Sequence, residues 1–339
     1  MLLEEIVAGL GLLGVMAYGV LGGADFGGGV WDLFASGSRR EEQRRAIAQA
    51  MGPVWEANHV WLIFVIVLLF TCFPPAFAAL SVALFGPFHL VLLGITLRGA
   101  AFVFRGSRPS GPGATHWGTI FGVASVMTPV LLGMSVGAVS AGSLRVIDRQ
   151  VVIQGPTPWL APVSLVMGAL ALSVSAYLAA VYLTNETTGP LRDDFRRRAL
   201  VAGAVVITLD VLTLPLLAIQ TPHLWEKFRC VAAAPILSLG VTGVALSGWA
   251  LWRGRFGLAR AAAVAHVACL ILGWGVAQHP HLIYPDLTLH TAAAPGPTLV
   301  FVLILLVPGL VVLVPSLWLL FKVFKGQPTD TDSIGRISQ

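Results

Sequence analysis

"TLVFVLILLVPGLVVLVPSLWLLF", residues 298–321, runs for 24 residues without a charged side chain. A helix needs ~20 apolar residues to cross the hydrocarbon core of a bilayer, so this stretch reads as a membrane helix. It has company in "VWLIFVIVLLF" at 60–70 and "FGPFHLVLLGITL" at 85–97. Only 11% of the 339 residues are charged and 56% are hydrophobic, whereas soluble domains carry roughly 25% charged residues. The mean hydropathy is +0.84. The chain is therefore read as an all-α polytopic membrane protein.

Nine spans are predicted near 6–35, 51–73, 77–105, 116–142, 160–184, 199–219, 230–252, 259–278 and 297–322. They form a single transmembrane domain over 1–325, with approximate halves 1–142 and 160–278 and a separate last span. "CFPPAF" turns the chain between spans two and three, and the polar tail 326–339 is expected to be disordered. Glu4 and Glu5 precede the first apolar run and no basic segment does, so that run is expected to be a span and not a cleaved signal.

The formal charge of +5 suggests nucleic acid until the basic residues are placed. Arg39, Arg40, Arg44, Arg45, Arg105, Arg108, Arg192, Arg196, Arg197, Arg198, Arg253, Arg255, Arg260, Lys322, Lys325 and Arg336 share one side of a nine-span arrangement. Arg145, Arg149, Lys227 and Arg229 take the other, and Arg98 lies within span three. Sixteen against four is the positive-inside signature, with the N-terminus outside and the C-terminus cytoplasmic. The basicity is topology, and no nucleic-acid partner is expected.

Ionisable groups inside spans are costly, at least ~2.5–3.5 kcal/mol each at the bilayer centre, and so they are informative. "GADFGGGVW" at 23–31 carries Asp25 and "WEANHVWL" at 55–62 carries Glu56; Arg98 and Asp210 complete the set. Asp25, Glu56 and Arg98 are expected at one level, roughly 8–15 Å below the cytoplasmic surface at 1.5 Å per residue. They form either a structural ion cluster or a proton route open to the cytoplasm. Gly23 and Gly27 are spaced to let a neighbouring helix come close. Asp210 stands mid-span, with Thr208 or Thr213 as the expected partner.

His59, His89 and His266 lie within spans without a second ligand at telling spacing and read as hydrogen-bonded packing. His223, His279, His281 and His290 gather in external loops, where Pro280 and Pro285 point to a structured segment. No metal site is assigned. Trp55 and Trp61 flank Glu56 and suit an interfacial anchor. Cys72, Cys230 and Cys269 read as inert buried thiols.

"GADFGGGVW", an Arg-rich loop, "GPVWEANHVWL", "FPPAFAAL" and "LRGAAFVFR" occur in this order within the first 105 residues. "GWGVAQHPHLIYPDLTLHTAAAP" precedes the last span. Together they resemble subunit II of the cytochrome bd-type quinol oxidases. In much of that family the second motif reads W-D-G-N-(Q/E)-V-W-L; Glu56, Ala57 and His59 depart from it in the manner of the cyanide-insensitive branch. The resemblance implies two four-helix bundles plus a peripheral helix. It implies an accessory, proton-conducting subunit of a respiratory oxidase that reduces O2 to water with quinol electrons and cytoplasmic protons, in the bacterial cytoplasmic membrane. The haems, b-type with haem d as an alternative, and the quinol site belong to the partner, subunit I. A small additional subunit, membrane lipid and a structural quinone are further expected company. No catalytic residue is expected in this chain. By position, Asp25 and Glu56 match the family's acids on the proton route, and Trp55 and Arg98 match residues near the subunit interface and the haem propionates. Asn58 and His59 supply supporting polar groups beside Glu56. The rival reading is a proton-coupled secondary transporter, with the acids as coupling sites.

Overall fold

The computed structural model describes residues 2–51, 55–107, 112–148, 150–155, 157–229 and 234–325, with backbone alone at 51, 55–57, 106–107, 112–115, 321 and 324–325. The chain runs α1 (Leu2–Leu33), α2 (Arg40–Met51), α3 (Trp55–Cys72), α4 (Pro74–Ala83), α5 (Phe85–Ser107) and α6 (Pro112–Ser140). A hairpin of β1 (Leu144–Ile147) and β2 (Gln150–Ile153) follows, then α7 (Pro162–Glu186), α8 (Gly189–Gln220), α9 (Pro222–Arg229), α10 (Ala234–Trp252) and α11 (Phe256–Gln278). A second hairpin of β3 (His281–Ile283) and β4 (Leu287–Thr288) leads to α12 (Leu289–Ala292) and α13 (Gly296–Lys325). Among the described residues, eight helices are long and apolar enough to cross a membrane, or nine if the bent pair α3–α4 counts as one span.

Helix α1 is the hub. It packs on α3 and α6 within the first bundle (α1, α3, α5, α6) and on α7 and α11 of the second (α7, α8, α10, α11). Lipid tails are as apolar as leucine, so helices in a membrane associate through close van der Waals contact, which small residues permit. A Cβ at Gly27 would collide with the Ser175 carbonyl of α7, and one at Gly29 with the Ser125 side chain of α6. Gly23, by contrast, is only in ordinary contact with Leu178 and Ser175, 3.6 Å away. The close approach runs through Gly27 and Gly29, not through a Gly23–Gly27 pair. Helix α13 has its main contacts with α1 and α3 and turns Phe301, Ile304, Val307, Val311 and Trp318 outward, as a peripheral helix should.

Three expectations change. Span three begins at Phe85 and not at 77, because Pro74–Ala83 is a helix of its own, bent by 118° from the one before it. Pro74 and Pro75 have no N–H to continue the ladder of α3 but fit the first turn of a new helix. The Cys72 carbonyl left open by this break accepts from the Ala294 N–H at 2.8 Å. Second, the arginines expected in a loop between spans five and six ride on the first turns of α8, which starts at Gly189, not at 199. Third, the basic segment after span one is the amphipathic helix α2. The tail 326–339 lies outside the described residues.

At the opposite end of the bundle the two hairpins are clasped together. Arg145 forks onto Asp286 at 2.8 and 2.9 Å, and the Val146 N–H donates to the same carboxylate at 2.7 Å. The Arg145 guanidinium holds the Asp286 carboxyl below the usual carboxylate range. His223 of α9 stacks on Tyr284 with centroids 3.5 Å apart. Burial, with His281 adding, pulls the His223 imidazole down to about 4. His279 and His290 both face Glu5 at the start of α1, at 3.1 and 3.8 Å.

Candidate functional site

Spans one and three run in the same direction, and acids on α1 meet arginines on α5. Asp25 Oδ2 accepts from Arg98 Nη1 at 2.8 Å, while Arg98 Nη2 donates to the Asp25 carbonyl at 3.0 Å. Arg98 Nε donates to Ser125 Oγ of α6 at 3.0 Å, and that hydroxyl donates on to the Phe121 carbonyl at 2.7 Å. Seven residues on in both helices, Asp32 accepts a fork from Arg105 at 2.8 and 2.9 Å. Two turns of helix separate the pairs, about 10 Å along the axis.

The inner pair is the more deeply enclosed. Its side chains are 3% and 1% exposed, against 26% for Arg105 and 1% for Asp32. The Arg98 guanidinium lies between the rings of Phe26 and Phe121, at 5.1 and 4.9 Å. A desolvated guanidinium gains from such faces, and it keeps its charge because arginine does not deprotonate in proteins. Within this pair, only the carboxylate can take up a proton. Asp25 Oδ1 is buried and has no hydrogen-bond partner among the described residues. Tyr18, Phe26 and His59 form a ring cluster beside it, with centroids 6.0–6.4 Å apart. Asn58 Nδ2 donates to the Leu21 carbonyl at 3.3 Å and so ties α3 to α1.

Of the residues singled out in the sequence, Asp25 and Arg98 meet directly, and Asn58 and His59 join their layer. Trp55 and Glu56 open α3, with side chains outside the described residues. Asp32, Arg105 and Ser125 were missed. Their signal was present: Asp-x6-Asp in span one and Arg-x6-Arg in span three step by the same seven residues.

Asp210 takes neither threonine. Thr208 and Thr213 each donate to a carbonyl one turn back in α8, those of Ala204 and Leu209, as short hydroxyl side chains in helices do. The Asp210 carboxylate instead faces His266 Nε2 of α11 at 3.5 Å, and His266 Nδ1 contacts the Gly240 carbonyl at 2.9 Å. His89 Nδ1 contacts the Phe85 carbonyl at 2.7 Å, so both histidines sit in hydrogen-bonded packing. Cys72 and Cys269 are buried free thiols, and Cys230 lies outside the described residues.

The family described as cytochrome bd terminal oxidase subunit II matches residues 3–324. Cytochrome bd-I ubiquinol oxidase subunit 2 of Escherichia coli (strain K12) is 26% identical, covering 95% of this chain and 94% of its own. The putative cytochrome bd menaquinol oxidase subunit II of Bacillus subtilis (strain 168) is 20% identical over 91% and 92% of the two chains. Cytochrome bd ubiquinol oxidase subunit 2 of the same organism is 28% identical, over 59% of each chain. A chain of the bd oxidase from Geobacillus thermodenitrificans superposes with a TM-score of 0.81 at 22% identity, covering 97% of this chain and 100% of that one.

Proposed function

Because the chain belongs to the cytochrome bd terminal oxidase subunit II family, we propose that it is the accessory, proton-conducting subunit of a quinol:oxygen oxidoreductase. It is a multi-span protein of the bacterial cytoplasmic membrane, with its N-terminus outside and its C-terminus in the cytoplasm in this reading. The haem-bearing subunit I is its partner and holds the quinol site, with a small additional subunit, membrane lipid and a structural quinone as further company. The haems supply electron transfer and oxygen reduction. In this chain His266 has one ring nitrogen on the Gly240 carbonyl and the other facing Asp210, which fits packing better than iron ligation.

The observation that carries the proton role is the asymmetry of Asp25. One carboxylate oxygen is pinned by Arg98, and the other is buried without a hydrogen-bond partner among the described residues. A carboxylate held in place by one oxygen can receive and release a proton at the other without losing its position. Glu56, one helix away, is the second acid of the route. Asn58 and His59 supply its polar lining. Arg98 acts on this route by positioning Asp25, since its guanidinium is enclosed by Asp25, Ser125, Phe26 and Phe121 of this chain. Trp55 is the residue assigned to the interface with subunit I. Family membership displaces the reading of a transporter acting alone.

The test is purification through a tag on this chain, a reduced-minus-oxidised spectrum, and quinol oxidation measured per haem. Glu56→Gln and Asp25→Asn keep side-chain shape and cannot release a proton near neutral pH. Each should lower turnover per haem by about a hundredfold, the usual size of a lost proton-transfer group. Asp25→Asn also leaves the buried Arg98 guanidinium without its counter-charge and should lower the yield of assembled complex as well. A Glu56→Gln complex that oxidises quinol at the wild-type rate per haem ends the relay role of Glu56.

A further inference from the structure

At the arginine-rich end of the molecule, a cavity of about 260 Å³ opens between the α1–α2 turn and the first turns of α8. Its lining is Ser36, Gly37, Ser38, Arg39, Gln43, Asp194, Arg197 and Arg198. At ~30 Å³ per water, the volume suits about eight waters, or a phosphate with the stub of its ester. Three guanidinium groups and one carboxylate leave two positive charges in excess (3 − 1 = 2).

The carboxylate is already spent within the wall. Asp194 accepts a fork from Arg39, through Nε at 2.9 Å and Nη2 at 2.6 Å, and a bond from Gln43 Nε2 at 3.1 Å. Glu42 lies within electrostatic reach of Arg39, and Glu41 is engaged with Arg44 at 3.8 Å. The cations are less used. Arg198 donates Nη2 to Gln43 Oε1 at 2.7 Å, while its Nη1 is buried without a hydrogen-bond partner. Its guanidinium rests on Trp31 and Phe195, at 5.2 and 5.5 Å, which holds it in place. Arg197 is exposed and makes no hydrogen bond or ion pair among the described residues. A buried donor without a partner is unfavourable, and a planar guanidinium suits the tetrahedral oxygens of a phosphate.

We infer that this pocket binds a phosphate group. Its place beside the apolar run of α8 favours a phospholipid headgroup as the source. Arg198 is the last charged residue before the apolar run that opens at Ala199. Arg198 Nη2 also reaches the carbonyl of Phe34 at 3.4 Å, and the Phe34 ring stands 60% exposed beside the pocket. One turn along α8, Val201 is 59% exposed. Acyl chains would lie on this apolar apron while the phosphate sits among the arginines, as basic pockets between membrane helices hold anionic headgroups. The inference does not depend on the proton route.

The test uses the whole complex, purified through this chain and stripped of lipid. Its thermal stability is followed on adding phosphatidylglycerol micelles, phosphatidylcholine micelles or inorganic phosphate alone, and bound lipid is counted by native mass spectrometry. Phosphatidylglycerol should bind and raise the Tm above the phosphatidylcholine level. Arg197→Gln should weaken that binding about tenfold, the scale of one lost charge-assisted contact, with its Tm in phosphatidylcholine unchanged. Arg197→Lys, which keeps the charge without the fork, should weaken it less. Arg253→Gln removes a charge from the same end of the molecule outside the pocket and should retain binding. If inorganic phosphate alone reproduces the whole effect and Arg197→Gln abolishes it, the phosphate site stands with a soluble source. A lipid response that Arg197→Gln leaves unchanged overturns the inference, as does equal loss in Arg197→Gln and Arg253→Gln.

Discussion

Arg98 with Asp25 inside the first bundle, and Arg145 with Asp286 between the outer hairpins, are the same chemistry in two solvents. Both pairs close at 2.8 Å. The inner side chains are 3% and 1% exposed; the outer ones are 31% and 18% exposed. The geometry is shared, so what differs is the alternative open to each partner. An outer arginine that loses its acid finds water. An inner one finds Phe26, Phe121 and the Ser125 hydroxyl, and none of these replaces a counter-charge. The comparison teaches that burial, more than hydrogen-bond length, sets what a pair is worth. Arg105 with Asp32 stands between the two extremes.

The sharpest way to break this ranking is Arg98→Gln. It strands the Asp25 carboxylate in a dry interior, where breaking a buried pair costs ~3–5 kcal/mol. Poor assembly is expected, read as a lost yield of complex in mild detergent. Wild-type yield and Tm would mean that water reaches Asp25 and that the burial argument fails.

Asp32→Asn should cost less. It removes both charge-assisted bonds of Arg105, but that guanidinium is partly exposed and can turn to solvent, so about 1.5–3 kcal/mol is expected. Thermal unfolding of the complex beside Arg98→Gln measures the gap; equal destabilisation would deny any gradient along the ladder.

Asp286→Asn is expected to cost the least, at most ~1 kcal/mol, the range of solvent-accessible ion pairs. Its effect should be local, seen as faster hydrogen exchange in 281–288 with the spans unaltered. Faster exchange throughout the bundle would show that the clasp holds more than the hairpins.

Acid should loosen the same outer layer in two steps. His223 has its imidazole pulled down to about 4, so its neutral form is favoured in the folded state. The stability this represents is complete above the ordinary histidine value of about 6.5 and is lost as pH falls from there toward 4. Asp286, held below its ordinary range, contributes above the unfolded carboxylate value and loses that contribution at still lower pH, as it takes up a proton. Hydrogen exchange of 281–288 should therefore rise between pH 6.5 and 4, and His223→Gln should flatten that first step. An unchanged slope in the variant would remove His223 from the account.

Reading Asp25 and Arg98 as one level of charge needed only helix rise and span direction, and the structure joins them. The same arithmetic applied to Asp32 and Arg105 would have found the second rung. Arg105 stands at a span end, where a basic residue already satisfies the topology rule, so its charge alone does not point to a buried partner. Asp210 failed differently. Its partner, His266, is 56 residues away on another helix, and local threonines are poor predictors because their hydroxyls return to their own helix. The double proline at 74–75 was legible as a turn, yet the helix it starts was not, since the alanine-rich run after it looks like the beginning of a span.

By itself the amino-acid sequence determined the solvent, the spans, the placement of charge at one end and the need for intramembrane acids to have partners. All of these follow from the free energy of moving a residue from water to lipid, which depends on residue type and short-range spacing. The tertiary structure decided which acid meets which base, that Gly27 and Gly29 and not Gly23 carry the close helix approach, and that three arginines from two segments share one cavity. Those outcomes depend on helix rotation and on neighbours far away in the chain. Packing selects them only once α1 has settled between two bundles, because apolar surface on every side of a helix leaves its rotation unspecified until small residues and fixed charges find their counterparts.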